Sequence, residues 1–144
     1  MVAPDAIQAA VLYVKLKYLD DWNSSRVRHA ARYVKRLAGC KIAVPYIPPD
    51  GEHNFHLFVI RTKQRDKLLT FLQDRAISCG IHYPVPLHLT KAYQDLGYPG
   101  IGSLAVTEGI AQEIVSLPMF PELADQQIDY VAGTVEEFCN EHSG

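Results

Sequence analysis

The stretch "NFHLFVIRTKQRDKLLTFLQDRAISCG", residues 54–80, decides the fold class, because a strand pattern in it passes directly into a helix pattern. Residues 54–62 carry apolar side chains at both odd and even positions, which predicts a strand covered on both faces. Residues 64–80 follow the spacing of an amphipathic helix, and Gly80 is the predicted stop. The side chains predicted to face inward from this helix are Leu68, Phe71, Leu72 and Ala76. A strand joined to a helix by a short turn predicts helices packed on a sheet.

The N-terminal part of the chain, residues 4–39, has a long helical pattern with an unusually wide apolar surface. One stripe at helical spacing consists of Ile7, Val11, Val14, Tyr18 and Trp22. Further apolar side chains widen the stripe, so we expect this helix to be covered on more than one side. Polar residues 23–25 predict a bend or a fresh helix cap, and Gly39 predicts the end of the helix.

The C-terminal part alternates short extended and helical patterns. Residues 80–84 can extend as a strand only as far as Pro84, and a helical turn is predicted to end at Gly97. Residues 105–117 predict a helix, with Glu108 in its first turn, followed by an extended segment near Ser116. Residues 125–138 predict a last amphipathic helix. The side chains on one face of that helix are Ile128, Val131, Val135 and Phe138.

Length and composition predict one globular domain without a nucleic-acid or membrane partner. The chain has 144 residues, 48% of them hydrophobic and 21% charged, and its net charge is -2. Such a charge disfavours nucleic acid or an anionic membrane as the main partner. The three cysteines are too few and too widely spaced for a disulfide framework, which favours a reducing compartment. Without a signal-peptide pattern or a membrane-spanning apolar run, the sequence predicts a soluble, cytoplasmic protein.

Two histidines near the middle of the chain form the candidate site. If residues 82–88 are extended, His82 and His88 point to the same side, because their separation is even; a turn after Pro86 would break that relation. The alternatives are satisfied core or surface histidines. Metal binding is the weaker hypothesis. His53 and His56 would face opposite sides of a strand, and a set of Cys79, His82 and His88 lacks the spacing of zinc modules.

Several segments in order carry a specific resemblance. "GIHYPVPLHLTKAYQDLG" at residues 80–97 and "VTEGIAQEIVSLPMFPEL" at residues 106–123 are the most specific, through H-Y-P-x-P-x-H and S-L-P-M-x-P-E-L. From about Ile7 to Phe138, the chain resembles the C-terminal third of the DegT/DnrJ/StrS sugar aminotransferases. That family uses pyridoxal phosphate (PLP) to transfer an amino group, usually from glutamate, to a keto sugar on a nucleotide.

The resemblance implies an α+β fold, a two-layer α/β arrangement. A long helical segment, residues 1–39, would lead from a large PLP-binding domain into a small domain, residues 40–144. The small domain would be a short antiparallel sheet with helices packed on it. The positions matching His82, Tyr83 and His88 lie near the sugar-nucleotide pocket in relatives, so these three residues are the expected substrate contacts.

The resemblance also implies what these residues lack. The Schiff-base lysine, the aspartate paired with the pyridinium nitrogen and the phosphate-binding residues of the family all match positions before Met1. We therefore expect no catalytic residue, metal or bound PLP in this chain, and no transamination by the chain alone. Ala124 stands where relatives often have a helix-capping threonine, and Asp125 is expected to take over that cap.

Three hypotheses for the chain remain open at this point. The first is a catalytically incomplete fragment: a truncated product, a cloned fragment or half of a split enzyme whose partner is a separate large domain. The second is a non-catalytic domain that binds a nucleotide sugar or a protein. The third is a structural oligomer. Loss of the large domain would expose an apolar face, which predicts a homodimer through the helix that contains Val11, Val14, Tyr18 and Trp22.

Overall fold

A computed structural model describes residues 5–97 and 100–142. The helices are α1 (Ala6–Leu16), α2 (Leu19–Leu37), α3 (Arg65–Gln73), α4 (Ala105–Ala111) and α5 (Asp125–Glu141). Two short 3-10 helices, Leu87–Leu89 and Lys91–Leu96, lie between α3 and α4. The strands are β1 (Phe58–Arg61) and β2 (Ile114–Leu117). Helices packed on a small antiparallel sheet confirm the predicted α+β class.

The two strands form an antiparallel pair at the centre of the domain. Phe58 lies opposite Leu117, and Arg61 lies opposite Ile114. One isolated bridge flanks each strand, from Ala43 to Arg61 on one side and from Gly80 to Ser116 on the other. Strand β2 therefore has hydrogen-bonded backbone on both sides, and all four of its residues are buried.

The core lies between this sheet and helices α2, α3 and α5. Tyr33 of α2 stacks on Phe58 with 4.9 Å between ring centroids, and its hydroxyl donates to the Pro118 carbonyl at 3.1 Å. Burial raises the pKa of the Tyr33 phenol, so the hydroxyl stays a neutral donor. Other fully or nearly fully buried side chains from three helices are Leu37, Leu68, Leu72, Ile128, Val135 and Phe138. The inward faces predicted for α5, and for Leu68 and Leu72 of α3, are confirmed.

Charged side chains join α2 to α5 along the surface. Arg32 donates to Asp129 at 2.6 Å and to Asp125 at 2.8 Å, and Arg36 donates to Glu136 at 3.0 Å. These pairs are too exposed to contribute much to stability. The prediction that Asp125 caps α5 was wrong, because its carboxylate accepts from Arg32 instead. The Ala124 N–H donates to the Gln127 side chain at 2.9 Å and thereby closes the first turn.

Three predicted element boundaries were wrong. The N-terminal helical segment breaks after Leu16 and restarts at Leu19, rather than at residues 23–25. Strand β1 begins only at Phe58, because Phe55 has a φ of 49°, which interrupts extended backbone. Helix α3 ends at Gln73 rather than at Gly80. Ala76 has a φ of 56° and is exposed, so the chain turns there.

Helix α1 lies outside the core. None of its residues is buried, although most of its side chains are apolar. The Asp5 carboxylate caps its N-terminus by accepting from the Ile7 N–H at 3.0 Å. No helix in the described parts of the chain is long and apolar enough to cross a membrane.

Replacing Phe58 with alanine tests whether the β1 side chain is central to the core. Phe58 is fully buried, so Phe58→Ala is expected to lower the free energy of unfolding by about 3–5 kcal/mol. Urea denaturation followed by circular dichroism measures this change. Val106 is 77% exposed, and Val106→Ala is the control, with an expected change within about 0.5 kcal/mol. Equal effects of the two substitutions would contradict the assigned core.

Candidate functional site

The candidate site is the loop that follows the Gly80 bridge. Pro84 and Pro86 keep the residues before them extended, and the first 3-10 helix begins directly afterwards at Leu87. The loop and helix α4 line an apolar groove of about 700 Å³. Its lining includes Tyr83, Val85, Leu87, Thr107 and Ile110. An open apolar groove next to polar side chains is a common arrangement for binding a ligand or another protein surface.

His82 is an exposed side chain held from below by strand β2. Its Nδ1 lies 2.8 Å from the Ser116 hydroxyl oxygen. Ser116 is buried, with only 4% of its surface exposed. The Tyr83 ring meets the His82 ring edge-on at 5.5 Å between centroids, and Tyr83 is 71% exposed. The structure therefore brings His82 and Tyr83 together at the surface.

His88 has a different environment. It lies in the first 3-10 helix, is only 7% exposed, and its Nε2 is 3.1 Å from a Glu108 carboxylate oxygen. The turn at Leu87–Leu89 is the one that would break the strand parity, so even spacing does not align His82 with His88. The two rings are held by different elements, His82 by β2 and His88 by α4.

Glu108 joins two other segments, residues 102–104 and the first 3-10 helix, to helix α4. It accepts from the Gly102 N–H at 2.8 Å, from the Leu104 N–H at 3.1 Å and from His88. The Gly102 and Leu104 N–H groups and, to a smaller degree, His88 lower the pKa of Glu108. Its predicted position in the first turn of a helix is confirmed. The carboxylate thus stays ionised and ties the start of α4 to the loop that carries His88.

Sequence reasoning did not find the partners of these histidines. Ser116 lies 34 residues from His82, and Glu108 lies 20 residues from His88. A serine inside the otherwise apolar strand "IVSL" was the available signal, because a buried hydroxyl needs a partner.

In the H-x-x-H segment, the side chains of His53 and Asn54 each accept a hydrogen bond from a backbone N–H two residues further on. His53 Nδ1 accepts from the Phe55 N–H at 2.8 Å, and Asn54 accepts from the His56 N–H at 3.2 Å. Within residues 5–97 and 100–142, no group of three potential metal ligands is close enough to hold a metal ion.

The lysines do not fit the role of a PLP-binding residue. All seven lysine side chains are exposed. A Schiff-base lysine is usually activated in a desolvated pocket or beside another cation. None of the seven lysines lies in such a desolvated pocket.

Comparison with known proteins identifies the fold as part of an aminotransferase family. The chain belongs to the DegT/DnrJ/EryC1/StrS aminotransferase family, whose model matches residues 5–136. It is 44% identical over 133 residues to the erythromycin biosynthesis sensory transduction protein EryC1 of Saccharopolyspora erythraea. It is 42% identical over 136 residues to a dTDP-3-amino-3,4,6-trideoxy-alpha-D-glucose transaminase of Streptomyces venezuelae. The family resemblance predicted from the sequence is confirmed.

Solved structures agree with this assignment. The chain matches DesV of S. venezuelae, solved in complex with a ketimine intermediate, with a TM-score of 0.86 and 42% identity over 92% of the chain. It matches an aminotransferase of the same family from Brucella abortus with a TM-score of 0.85 and 36% identity over 94% of the chain.

The match covers only part of each relative. The chain spans 36% of the length of the two curated relatives, although 92% and 94% of the chain itself is matched. The 144 residues therefore match a part of each relative.

Replacing Glu108 with glutamine tests the carboxylate that fastens the loop. The pKa of Glu108 in the folded chain is below its ordinary value of 4.5. Its contribution to stability is therefore complete above pH 4.5 and is lost as the pH falls through the folded-state pKa. We expect Glu108→Gln to lower the urea midpoint at pH 7, and the difference from the wild type to narrow as the pH is lowered below 4.5, with pH 3 as the test point.

The control for this experiment is Glu122→Gln, because Glu122 is exposed and lies outside the loop. Its urea midpoint should follow the wild type at both pH values. A Glu108→Gln difference that is the same at pH 7 and pH 3 would contradict a stabilising role of the ionised carboxylate.

Proposed function

We propose that this chain is the C-terminal domain of a PLP-dependent sugar-nucleotide aminotransferase of amino-sugar biosynthesis, and that it supplies a substrate-binding wall rather than the reacting group. The observation that carries the proposal is the family match, which extends over residues 5–136. The exposed lysines support the second part, because Schiff-base chemistry requires an activated lysine. The PLP site then belongs to a large domain outside these 144 residues, and the isolated chain does not catalyse transamination.

We assign different roles to the three site residues. His82 and Tyr83 are exposed on the loop, so an imidazole and a phenol ring are available for direct contact with a nucleotide sugar. His88 acts through the shape of the loop, because its buried ring is held by Glu108. Several relatives support this class of ligand by name, since they are transaminases of dTDP-linked sugars.

A titration with dTDP-glucose tests the proposed binding wall. We expect millimolar dTDP-glucose to shift the amide resonances of residues 82, 83 and 85 in a ¹⁵N-labelled chain. Tyr83→Ala should weaken binding at least several-fold, because base or sugar stacking on an aromatic ring contributes about 1–3 kcal/mol. Tyr46→Ala is the matched control, since Tyr46 is also mostly exposed but lies away from the loop. If no resonance moves, the isolated chain has no binding wall for such sugars.

The exposed face of α1 favours a second property, self-association. Ile7, Leu12 and Val14 are each more than half exposed, and α1 makes no buried contact with the domain. In a complete enzyme the large domain would cover this face. In the isolated chain a second copy is the available cover, because large exposed apolar surfaces associate in water.

Sedimentation velocity tests the predicted homodimer. At micromolar concentration the chain should sediment as a species with twice the monomer mass of 16.1 kDa. The double variant Val11→Glu with Val14→Glu should sediment as a monomer, because burying a carboxylate without a charged partner in the dimer interface is unfavourable. Val106→Glu on α4 is the control and should leave the dimer intact. A wild-type monomer under these conditions would refute self-association through α1.

A further inference from the structure

The His82 ring is held in place by two groups outside the loop. Ser116 Oγ lies 2.8 Å from Nδ1. Gly80 lies against the neighbouring ring carbon, since a Cβ placed on Gly80 would come within 2.7 Å of His82 Cε1. Gly80 and Ser116 also exchange both backbone hydrogen bonds, at 2.8 Å and 3.1 Å. The strand bridge that aligns these two residues therefore also sets the position of the imidazole.

The Ser116 hydroxyl has a restricted choice of partners. The backbone N–H and carbonyl of Ser116 are both bonded to Gly80, and the residue is buried. Among the described residues, His82 is the partner found for its hydroxyl. A buried O–H without an acceptor is unfavourable, whereas a hydroxyl oxygen tolerates unused lone pairs. The hydroxyl therefore donates to Nδ1, and the ring proton of neutral His82 belongs on Nε2.

We infer that Ser116 is a positioning residue that sets the tautomer and orientation of His82, so that Nε2–H is presented at the candidate site as a hydrogen-bond donor. No described residue bonds Nε2. A donor at this point recognises an acceptor oxygen: a hydroxyl, a phosphate or a carboxylate of the ligand. The inference rests on the proposed function for the identity of the ligand, a nucleotide sugar, while the tautomer itself depends only on this chain.

Glycine at position 80 is part of the same device. Alanine at this position would meet the His82 ring, which is the movable end of a side chain. The backbone conformation of Gly80 is not among those with positive φ, so alanine fits the backbone. Gly80→Ala is therefore expected to displace the ring from Ser116 while the bridge between the strands remains. Gly80→Ala thus disrupts the same Ser116–His82 hydrogen bond as Ser116→Ala, but it leaves the Ser116 hydroxyl in place.

The tautomer is measured by ¹⁵N chemical shifts of the His82 ring near pH 8, without ligand. In the wild type we expect two well-separated shifts, Nε2 protonated and Nδ1 accepting. Ser116→Ala and Gly80→Ala should each bring the two shifts closer together, since tautomers then interconvert. The double variant should give the same ring shifts as either single variant, because both substitutions remove the same hydrogen bond. The control is Ser78→Ala, which removes an exposed serine hydroxyl and should leave the His82 shifts unchanged.

Two results would overturn the inference: a wild-type His82 with its proton on Nδ1, or ring shifts unaffected by both Ser116→Ala and Gly80→Ala. A purely structural role of Ser116 would lower stability without moving these shifts, so the readout separates positioning from folding.

A second measurement connects the tautomer to the ligand. Ser116→Ala should weaken dTDP-glucose binding several-fold in the wild-type background and have no effect in a His82→Ala background. An equal loss in both backgrounds would show that Ser116 acts on the ligand by another route and would refute positioning through His82. If the wild-type chain binds no dTDP-glucose, the proposed function fails, while the ring shifts still decide the role of Ser116.

Discussion

The antiparallel pairing of Phe58–Arg61 with Ile114–Leu117 is the contact on which the rest of the domain depends. It joins segments more than fifty residues apart and provides the surface on which α2, α3 and α5 pack. The stacking of Tyr33 on Phe58 ties α2 to this sheet, and the free side of β2 receives Gly80. The candidate loop begins at that bridge. Its position is therefore a direct consequence of strand pairing.

The same pairing divides the two histidines into different roles. His82 follows the bridge by two residues and keeps its ring above β2, where Ser116 holds it. His88 comes after a turn and is drawn inward to Glu108 on α4. The His82 side chain is thus exposed and the His88 side chain is buried, although both belong to a single seven-residue motif. Two residues of the same type within one motif thus occupy different environments.

Local sequence patterns predicted the elements that have a clear periodic spacing of apolar residues. Helix α5 appeared where Ile128, Val131 and Val135 repeat at helical spacing, and β2 appeared after α4 as expected. The boundaries failed where tertiary contacts outweigh propensity. Phe55 adopts a positive φ and is still buried beside Phe58, and Ala76 turns the chain so that Ile77 is buried. Neither backbone state is favoured by the residue itself, so no local pattern signals it.

The surroundings of the candidate residues were not predicted, for a related reason. The family motif marked His82, Tyr83 and His88 as expected substrate contacts, and that assignment stays a prediction. The groups that His82 and His88 contact, Ser116 and Glu108, come from distant segments, and a single sequence does not reveal such pairs. Likewise, Asp125 was expected to cap its own helix, α5, whereas its carboxylate accepts from Arg32 of helix α2. For Asp125, a long-range polar partner therefore replaced the local one.

The separation of α1 from the core has a thermodynamic consequence. An 11-residue helix with no buried side chain has little tertiary support, and helices of that length are marginal in water. Ordering of α1 is therefore coupled to whatever surface covers it. Part of the free energy of that contact is spent on fixing the helix, so the affinity falls below what the apolar area alone would give. If α1 is already ordered before the contact forms, binding is tighter than when a surface of equal area must order the helix.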